Sequence, residues 1–312
     1  MSNIVAITIG DINGIGINIL IDCFQNKKIK NFILLTNIKI FKIFLKKNNI
    51  KIKINIFNKD NGKYKYVNNS LNIFNYSSNS FNDNTYKSLR YSYELCKKKL
   101  CKGIITLPLR KDLIKNKIDK KFIGHTEFFQ KIDKKKYSNM ILFHKKIIVS
   151  PLTTHIPINK INKFIREKKF LYTQIKNLYK VLKVDFNINS PKLIISGLNP
   201  HAGENGSIGT EEIKYILPTI KKLKKEGIKI EGPFSADSLM LNNNLKKYHC
   251  FLFVYHDQAL IPFKYISKFS GVNYTGNLDI IRVSPDHGTA YDLIGSKNIS
   301  YKSFLNCFKL VM

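Results

Sequence analysis

Arginine is nearly missing from this chain. Arg90, Arg110, Arg166 and Arg282 are the whole complement, among 53 Lys and Arg side chains set against 21 acids, for a formal net charge of +32. Specific readers of nucleic acid lean on the bidentate guanidinium, so this excess of lysine does not predict one. Lysine, asparagine and isoleucine are raised together along the whole length. That is the mark of AT-rich coding rather than of a built binding face, although polyanions are expected to stick at low salt. Paired cysteines are also missing. Cys23, Cys96, Cys101, Cys250 and Cys307 are scattered and odd in number, with no C-x-x-C, which argues against a disulfide framework and a structural zinc site and suits the cytoplasm. No apolar run reaches the roughly eighteen residues of a membrane span, so no membrane partner is expected. The opening Met1-Ser-Asn-Ile-Val-Ala-Ile-Thr-Ile9 has neither a basic flank nor a small-residue cleavage site, so no secretory signal is expected.

What is present is enough apolar residue, 44% of 312, for a large core in one or two domains. Short apolar runs alternate with helical periodicity. Strands are predicted at Ile4–Ile9, Phe32–Thr36, Ile50–Phe57, Gly103–Pro108, Asn139–Phe143, Lys145–Ser150, Lys192–Ser196 and Cys250–Val254. Helices are predicted over Ile38–Lys47, Tyr86–Leu100, Ile158–Leu182, Ile213–Lys225 and Tyr301–Val311. The polar stretch from Asn58 to Asn84 reads as loop with edge strands at Lys63–Val67 and Leu71–Phe74. This βαβ rhythm predicts a mostly parallel sheet covered by helices, with ligands at the carboxyl ends of strands.

Glycine and histidine fall in a few clusters. The longest is Gly197-Leu-Asn-Pro-His-Ala-Gly-Glu-Asn-Gly-Ser-Ile-Gly-Thr-Glu-Glu212. It leaves a buried strand and enters a helix, with Thr210 and the acids after it reading as a cap. Such a loop offers backbone N–H groups to an anion, or is an ordinary glycine-rich turn. Gly10-Asp-Ile-Asn-Gly-Ile-Gly16 also follows a strand, but its spacing is not that of a dinucleotide fingerprint, and a tight strand-to-helix turn accounts for it. Gly124-His-Thr-Glu-Phe-Phe129 puts His125 and Thr126 at a helix start, as a phosphate site or a plain N-cap.

His155, His201 and His256 each stand at the carboxyl end of a predicted strand. Three imidazoles on one rim, with an open position, suit a catalytic divalent metal; three separately satisfied histidines are the other reading. His125, Thr126, Lys264, Asn273 and Arg282 supply cationic and polar groups for a small anionic substrate. Arg282 can grip carboxylate or phosphate with its fork, or make a surface ion pair.

Gly-His-Thr-Glu-Phe-Phe, Gly-Leu-Asn-Pro-His-Ala-Gly-Glu, Tyr255-His-Asp-Gln258 and Asp286-His-Gly-Thr-Ala290 together resemble the 4-hydroxythreonine-4-phosphate dehydrogenase family of pyridoxal phosphate biosynthesis. The likeness runs from the first strand to the last helix and is densest from Gly124 to Gly295. It implies an α/β, isocitrate/isopropylmalate dehydrogenase-like fold: two α/β/α domains with a mostly parallel sheet and a cleft between them. The cofactor-side domain is expected at 1–120 and 257–312, and the metal, substrate and dimerisation domain at 121–256. It implies His155, His201 and His256 as ligands of one divalent ion per subunit (Zn, Mg or Co). His125, Thr126, Lys264, Asn273 and Arg282 match the substrate contacts, and Asp286, His287, Gly288, Thr289 and Ala290 the NAD or NADP loop. A homodimer with its active site at the subunit interface would oxidise a phosphorylated hydroxy amino acid at C3 and decarboxylate the product. Asp237, Asp257 and Lys264 are the candidates for the hydroxyl proton, each also able to orient a histidine. The chain departs from the family in its opening turn, Ile9-Gly-Asp-Ile-Asn-Gly-Ile-Gly-Ile-Asn18, and at Leu107-Pro108, where Gly-Pro is usual. Two alternatives stand beside this reading: a sister dehydrogenase of 4-phosphoerythronate or 4-phosphothreonate, and a non-catalytic polyanion binder, which predicts loss of one of the three histidines.

Overall fold

A computed structural model describes residues 3–58, 65–296 and 299–312. The chain divides into two compact units, Met1–Asp133 with Leu278–Met312, and Lys134–Asn277. The first unit opens with β1 (Val5–Thr8), α1 (Ile15–Gln25), β2 (Phe32–Leu35), α2 (Ile38–Lys47), β3 (Ile54–Asn58), β4 (Leu71–Asn75), α3 (Phe81–Lys97), β5 (Gly103–Thr106), α4 (Lys111–Lys117) and α5 (His125–Ile132). The second unit carries β6 (Asn139–His144), β7 (Ile147–Thr153), α6 (Ile158–Arg166), α7 (Lys168–Val184), β8 (Lys192–Ser196), α8 (Leu217–Lys225), β9 (Lys229–Phe234), α9 (Asn242–Lys247), β10 (Cys250–Tyr255), α10 (His256–Ser267) and β11 (Val272–Gly276). The chain then returns to the first unit as β12 (Ile281–Pro285) and α11 (Lys302–Val311).

In the first unit the strands lie in the order β3-β4-β2-β1-β5-β12, all parallel. Val5–Thr8, Phe32–Leu35 and Gly103–Thr106 are buried at every position. Strands covered by helices on both faces need apolar side chains without alternation, which is why these runs read so clearly. Asn37 caps α2 by accepting from the Lys39 and Ile40 amides, the arrangement that ends a strand and starts a helix. In the second unit the order is β11-β6-β7-β10-β8-β9, antiparallel through β11, β6 and β7 and parallel from β7 to β9. Phe251 and Phe253 of β10 form its core with Leu142, Val149, Ile194 and Phe263. Among the described residues, no helix is long and apolar enough to cross a membrane, and all five cysteines are free and buried.

Several expectations shift. The units divide after 133 and 277, where the sequence reading cut after 120 and 256. Phe122, Phe128 and Phe129 share a buried cluster with Ala6, Leu89 and Ile104, which ties α5 to the first unit. Ala259 and Phe263 join the cluster of Leu142 and Phe251, which ties α10 to the second. The run at Leu71 is an inner strand, since β4 pairs with both β2 and β3. Lys65–Val67 forms no strand; the Asn72 side chain holds Val67 through both its N–H and its C=O. The rest of that expected strand, 63 and 64, lies outside the described residues. The long helix expected from Ile158 breaks at Glu167, whose ψ of 87° is not helical. The helix expected at Ile213 starts with a π-helical turn, Glu212–Ile216.

Candidate functional site

Strands β7, β10 and β8 are parallel neighbours, so their carboxyl ends share one rim, spaced about 4.8 Å strand to strand. Each end delivers a histidine. His155 follows Thr153, whose hydroxyl donates to the Val254 carbonyl of the adjoining strand at 2.8 Å. His256 is the first residue of α10. The His155 and His256 rings stand 5.8 Å apart, centroid to centroid. His256 Nδ1 lies 2.7 Å from Asp257 Oδ1, the pairing that fixes an imidazole's tautomer and leaves Nε2 for another partner. Thr153, Tyr255, Ile158 and Ile161 line a cavity of about 170 Å³ with these two histidines and Asp257.

His201, beyond β8, is exposed on a turn in which His201, Ala202, Gly203, Glu204 and Asn205 all have φ between 41° and 81°. Left-handed backbone costs roughly 1–2 kcal/mol per residue outside glycine and is visited singly as a rule. A run of this kind persists only if its surroundings hold it. Among the described residues, no three His, Cys, Asp or Glu side chains stand together as a metal site. The donors suit a divalent metal in kind, and two of the three expected ligands are side by side; His201 is the one the structure does not bring to them. Asp237 is exposed in a turn after β9, not at a helix start as expected. Lys264 lies two turns beyond His256 on α10, its Nζ 4.9 Å from the Phe269 ring centre. Asn273 on β11 has a buried Oδ1 without a hydrogen-bond partner, the state of an acceptor that awaits a ligand.

Two residues escaped the sequence reading. Gln258 ties two strand ends together: its Oε1 accepts from the Val254 amide (3.1 Å) and the Ser196 hydroxyl (3.3 Å), and its Nε2 donates to the Gly197 carbonyl (3.2 Å). It lay inside the Tyr-His-Asp-Gln motif, where an uncharged side chain carried no signal of its own. Glu212 reads in the sequence as a helix-capping acid. It instead accepts from the Leu198 and Asn199 amides, at 2.8 and 2.9 Å.

The first unit carries its expected residues at a different kind of place. Arg282, on β12, is its largest fully buried side chain, at 1% exposure, so it is not a surface ion pair. Its Nε donates to Thr106 Oγ1 at 3.1 Å, and its guanidinium lies 5.8 Å from the Phe129 ring centre. Burial brings its pKa down to about 10, opposed by the Cys307 and Glu127 side chains; it is still cationic at neutral pH. His125 opens α5 with Thr126 next to it. The His125 Nε2 is buried without a partner. Burial, and then the charges of Arg282 and Lys111, push its pKa well below 6.5, so the ring is neutral. A buried cation beside an unpartnered imidazole at a helix start is suited to an anion.

The loop Asp286–Ala290 packs against the opening turn. The Thr289 carbonyl accepts from the Ile15 amide at 3.0 Å, and the Tyr291 hydroxyl donates to the Asp11 carboxylate. Asp286 is held through its amide by Ser303 Oγ. The His287 Nε2 is buried and unpartnered, and burial lowers its pKa. Gly288 is open, with nothing within 4 Å of where a Cβ would lie. An orphaned ring nitrogen beside open backbone fits a polar cofactor group. Asp11, Asn13, Asn82, Thr85, Arg110 and Tyr291 line a cavity of about 180 Å³ nearby.

Residues 27–311 match the model of the family described as pyridoxal phosphate biosynthetic protein PdxA. A 4-hydroxythreonine-4-phosphate dehydrogenase from Bacteroides thetaiotaomicron is 39% identical over 202 residues, 64% of this chain and 55% of its own length. The chain thus spans little more than half of that relative. One of the same name from Wigglesworthia glossinidia brevipalpis is 34% identical over 99% of this chain and 95% of its own. The crystal structure of a 4-hydroxythreonine-4-phosphate dehydrogenase from Burkholderia phymatum aligns over 99% of this chain and 97% of its own, with 26% identity and a TM-score of 0.78. An isocitrate dehydrogenase from Methylococcus capsulatus aligns over 99% of this chain and 84% of its own, at 10% identity and a TM-score of 0.51, a likeness of fold alone. The expected fold class is therefore the one found.

Proposed function

We propose, because the chain belongs to the pyridoxal phosphate biosynthetic protein PdxA family, that it is a 4-hydroxythreonine-4-phosphate dehydrogenase. It oxidises 4-phosphohydroxy-L-threonine at C3 with NAD or NADP, and the resulting 3-oxo acid loses CO₂ to give 3-amino-2-oxopropyl phosphate. The observation that supports this best is the rim of β7, β10 and β8, three parallel neighbours each followed by a histidine.

His155, His201 and His256 would hold the divalent ion, Zn, Mg or Co. A bound ion there would act as a Lewis acid, favouring loss of the C3 hydroxyl proton. The nicotinamide would supply the hydride acceptor, with the loop Asp286–Ala290 receiving its dinucleotide. The chain's own residues bind and orient. Arg282 provides fixed positive charge, and His125, neutral, offers a hydrogen bond to a phosphate or carboxylate without a charge that pH would switch near neutrality. Thr126, Lys264 and Asn273 complete the substrate contacts. Such groups position the reacting carbon, and positioning is a large part of catalysis. Asp257 is engaged with His256, which suits it to orient that ring, and Asp237 or, in its neutral form, Lys264 would then take the hydroxyl proton.

The active form is a homodimer. Ile261 and Tyr265, one turn apart on α10, are 70% and 85% exposed, and Phe269 just beyond is 58% exposed. Apolar side chains stacked in this way are a docking stripe, here for a second copy. Light scattering is expected to give twice the chain mass, and Tyr265→Lys to give one.

The decisive test is nicotinamide reduction by the purified protein with 4-phosphohydroxy-L-threonine. Turnover that disappears with a chelator and returns with a divalent ion is expected. Metal-replete protein inert on that substrate overturns the assignment; turnover of 4-phosphoerythronate or 4-phosphothreonate instead would transfer it to the sister reaction, and inertness on all three would favour the non-catalytic alternative.

A further inference from the structure

The left-handed turn that carries His201 is wrapped around one carboxylate. Glu212 sits at the start of the π-helical turn before α8 and is 1% exposed. Its Oε1 accepts from the Leu198 and Asn199 amides at 2.8 and 2.9 Å, and its Oε2 from Asn199 Nδ2 at 3.0 Å. Asn199 Nδ2 also donates to Glu211 Oε2 at 3.0 Å, and Glu211 Oε1 accepts from Asn162 of α6 at 2.7 Å. The turn then closes on itself: the Ala202 amide donates to the Asn199 carbonyl, and the Ile208 amide to the Gly203 carbonyl. Gly203 comes so close that a Cβ there would stand 2.7 Å from Glu212 Oε2, at a φ of 81°.

We infer that Glu212 is a positioning residue: its buried carboxylate is the template on which residues 198–203 fold, and so it sets where His201 is presented. The inference rests on the reading of His201 as a metal ligand. Three N–H donors converge on the group, so only an acceptor with spare lone pairs serves, and a carboxylate is the side chain with acceptors alone. Glutamine at 212 keeps one carbonyl for the two amides but turns an NH₂ toward the Asn199 NH₂. Leucine keeps the bulk and loses every acceptor. Gly203 has to be glycine for the same reason, since the template fills the space a side chain would need. The run of left-handed residues then depends on it: without the carboxylate the anchor at Leu198 and Asn199 is lost, and only the bonds within the turn are left to hold His201, Ala202, Glu204 and Asn205 in a conformation they avoid.

The test compares wild type, Glu212→Gln, Glu212→Leu, His256→Ala and Ile220→Ala, the last a buried α8 position outside the loop. Zn²⁺ affinity is read by competition with a chromophoric chelator, and amide exchange at Leu198 and Asn199 in metal-free protein. Glu212→Leu is expected to lose at least about tenfold in Zn²⁺ affinity, the size seen when a group orienting a metal ligand is removed, and to lose protection at both amides. Glu212→Gln is expected to fall between it and wild type, and to carry the comparison if the leucine variant does not fold. Ile220→Ala is expected to lower Tm with Zn²⁺ affinity unchanged, which separates positioning from general stability. Wild-type Zn²⁺ affinity in either folded Glu212 variant overturns the inference. If instead wild type binds Zn²⁺ no better than His256→Ala, the metal reading itself fails, and exchange at Leu198 and Asn199 alone reports whether the carboxylate shapes the turn.

Discussion

Two glycine-rich loops, one in each unit, follow a buried parallel strand and lead into a helix, yet they are held in opposite ways. The turn after β1 is held by groups remote in sequence. The Pro108 carbonyl accepts from the Asp11 amide at 2.7 Å, the Thr289 carbonyl from Ile15, and the Gly10 carbonyl from the Thr85 hydroxyl at 2.7 Å. The turn after β8 is tied to remote groups only at its ends, Gly197 to Phe234 and Gln258, and Glu211 to Asn162; between them it is held from within, by Glu212 fourteen residues on from Leu198. The first has a single positive φ, Gly10 at 62°; the second has six in succession, from His201 to Gly206. A loop fixed by its scaffold is rigid at little conformational cost. A loop fixed by one side chain against its own backbone preference stores strain, and such strain collects where a ligand is to be gripped.

That contrast is sharpest in what each loop loses. His201→Ala removes a proposed metal ligand and is expected to leave the fold alone, because the side chain is exposed. A Lewis acid is worth several kcal/mol, so at about 1.4 kcal/mol per decade the turnover is expected to fall roughly 10²–10³-fold with Tm unmoved. A fall in Tm with activity kept would erase the distinction between the loops. Gly10→Ala attacks the other loop. Its Cβ would meet the Pro108 carbonyl at 2.6 Å and Leu107 Cβ at 2.8 Å, and neither can swing aside. The expected cost is about 2 kcal/mol or more of stability, read by thermal unfolding, with Zn²⁺ affinity unchanged.

The sequence showed both loops because strand, glycine and helix are local signals. It showed the strand ends that carry His155 and His256 side by side because apolar runs such as Cys250–Val254 mark parallel strands, and parallel strands share a carboxyl end; the turn that carries His201 away from them left no local signal. It did not show that Arg282 is buried: a lone arginine between Ile281 and Val283 reads alike on a surface and under Phe129. Nor did it show the work of Glu212, since an acid in a helix's first turn already has an ordinary explanation. Which partner a carboxylate takes is decided by packing. The unit boundaries moved for a related reason: Phe122, Phe128 and Phe129 declare a core but not which core.

The loops should also part company with pH. His287, in the segment that closes the first, has its pKa lowered by burial below the ordinary 6.5. Its neutral form is the native one, so below 6.5 the unfolded chain takes up a proton that the folded loop refuses, and stability present above that pH is lost as pH falls. Glu211, beside the second loop, is held below the usual 4.5 first by the Asn199 side chain. Its contribution is present above 4.5 and is lost only as pH falls below that. Exchange protection, corrected for the intrinsic rate, is expected to drop at the Ile15 amide between pH 7 and 5, and at the Leu198 amide only below 4.5. A parallel loss at both amides would contradict the assignment of each loop to its own titrating group.

The smallest effect expected comes from Tyr291→Phe. The Tyr291 hydroxyl donates to the Asp11 carboxylate across the mouth of the first loop, where Tyr291 is exposed and Asp11 half-buried. A hydrogen bond to a charged but solvated acceptor contributes about 1 kcal/mol or less, and the Asp11 carboxylate keeps a second tie in the Asn13 amide at 2.9 Å. The remote backbone bonds at Pro108 and Thr289 stay. Tm is therefore expected to shift by no more than a few degrees and kcat to hold, with KM for the nicotinamide cofactor rising about two- to fivefold, the scale of a fraction of 1.4 kcal/mol. A collapse in stability would mean that the scaffold does not hold this loop after all, and that both loops hang on single side chains.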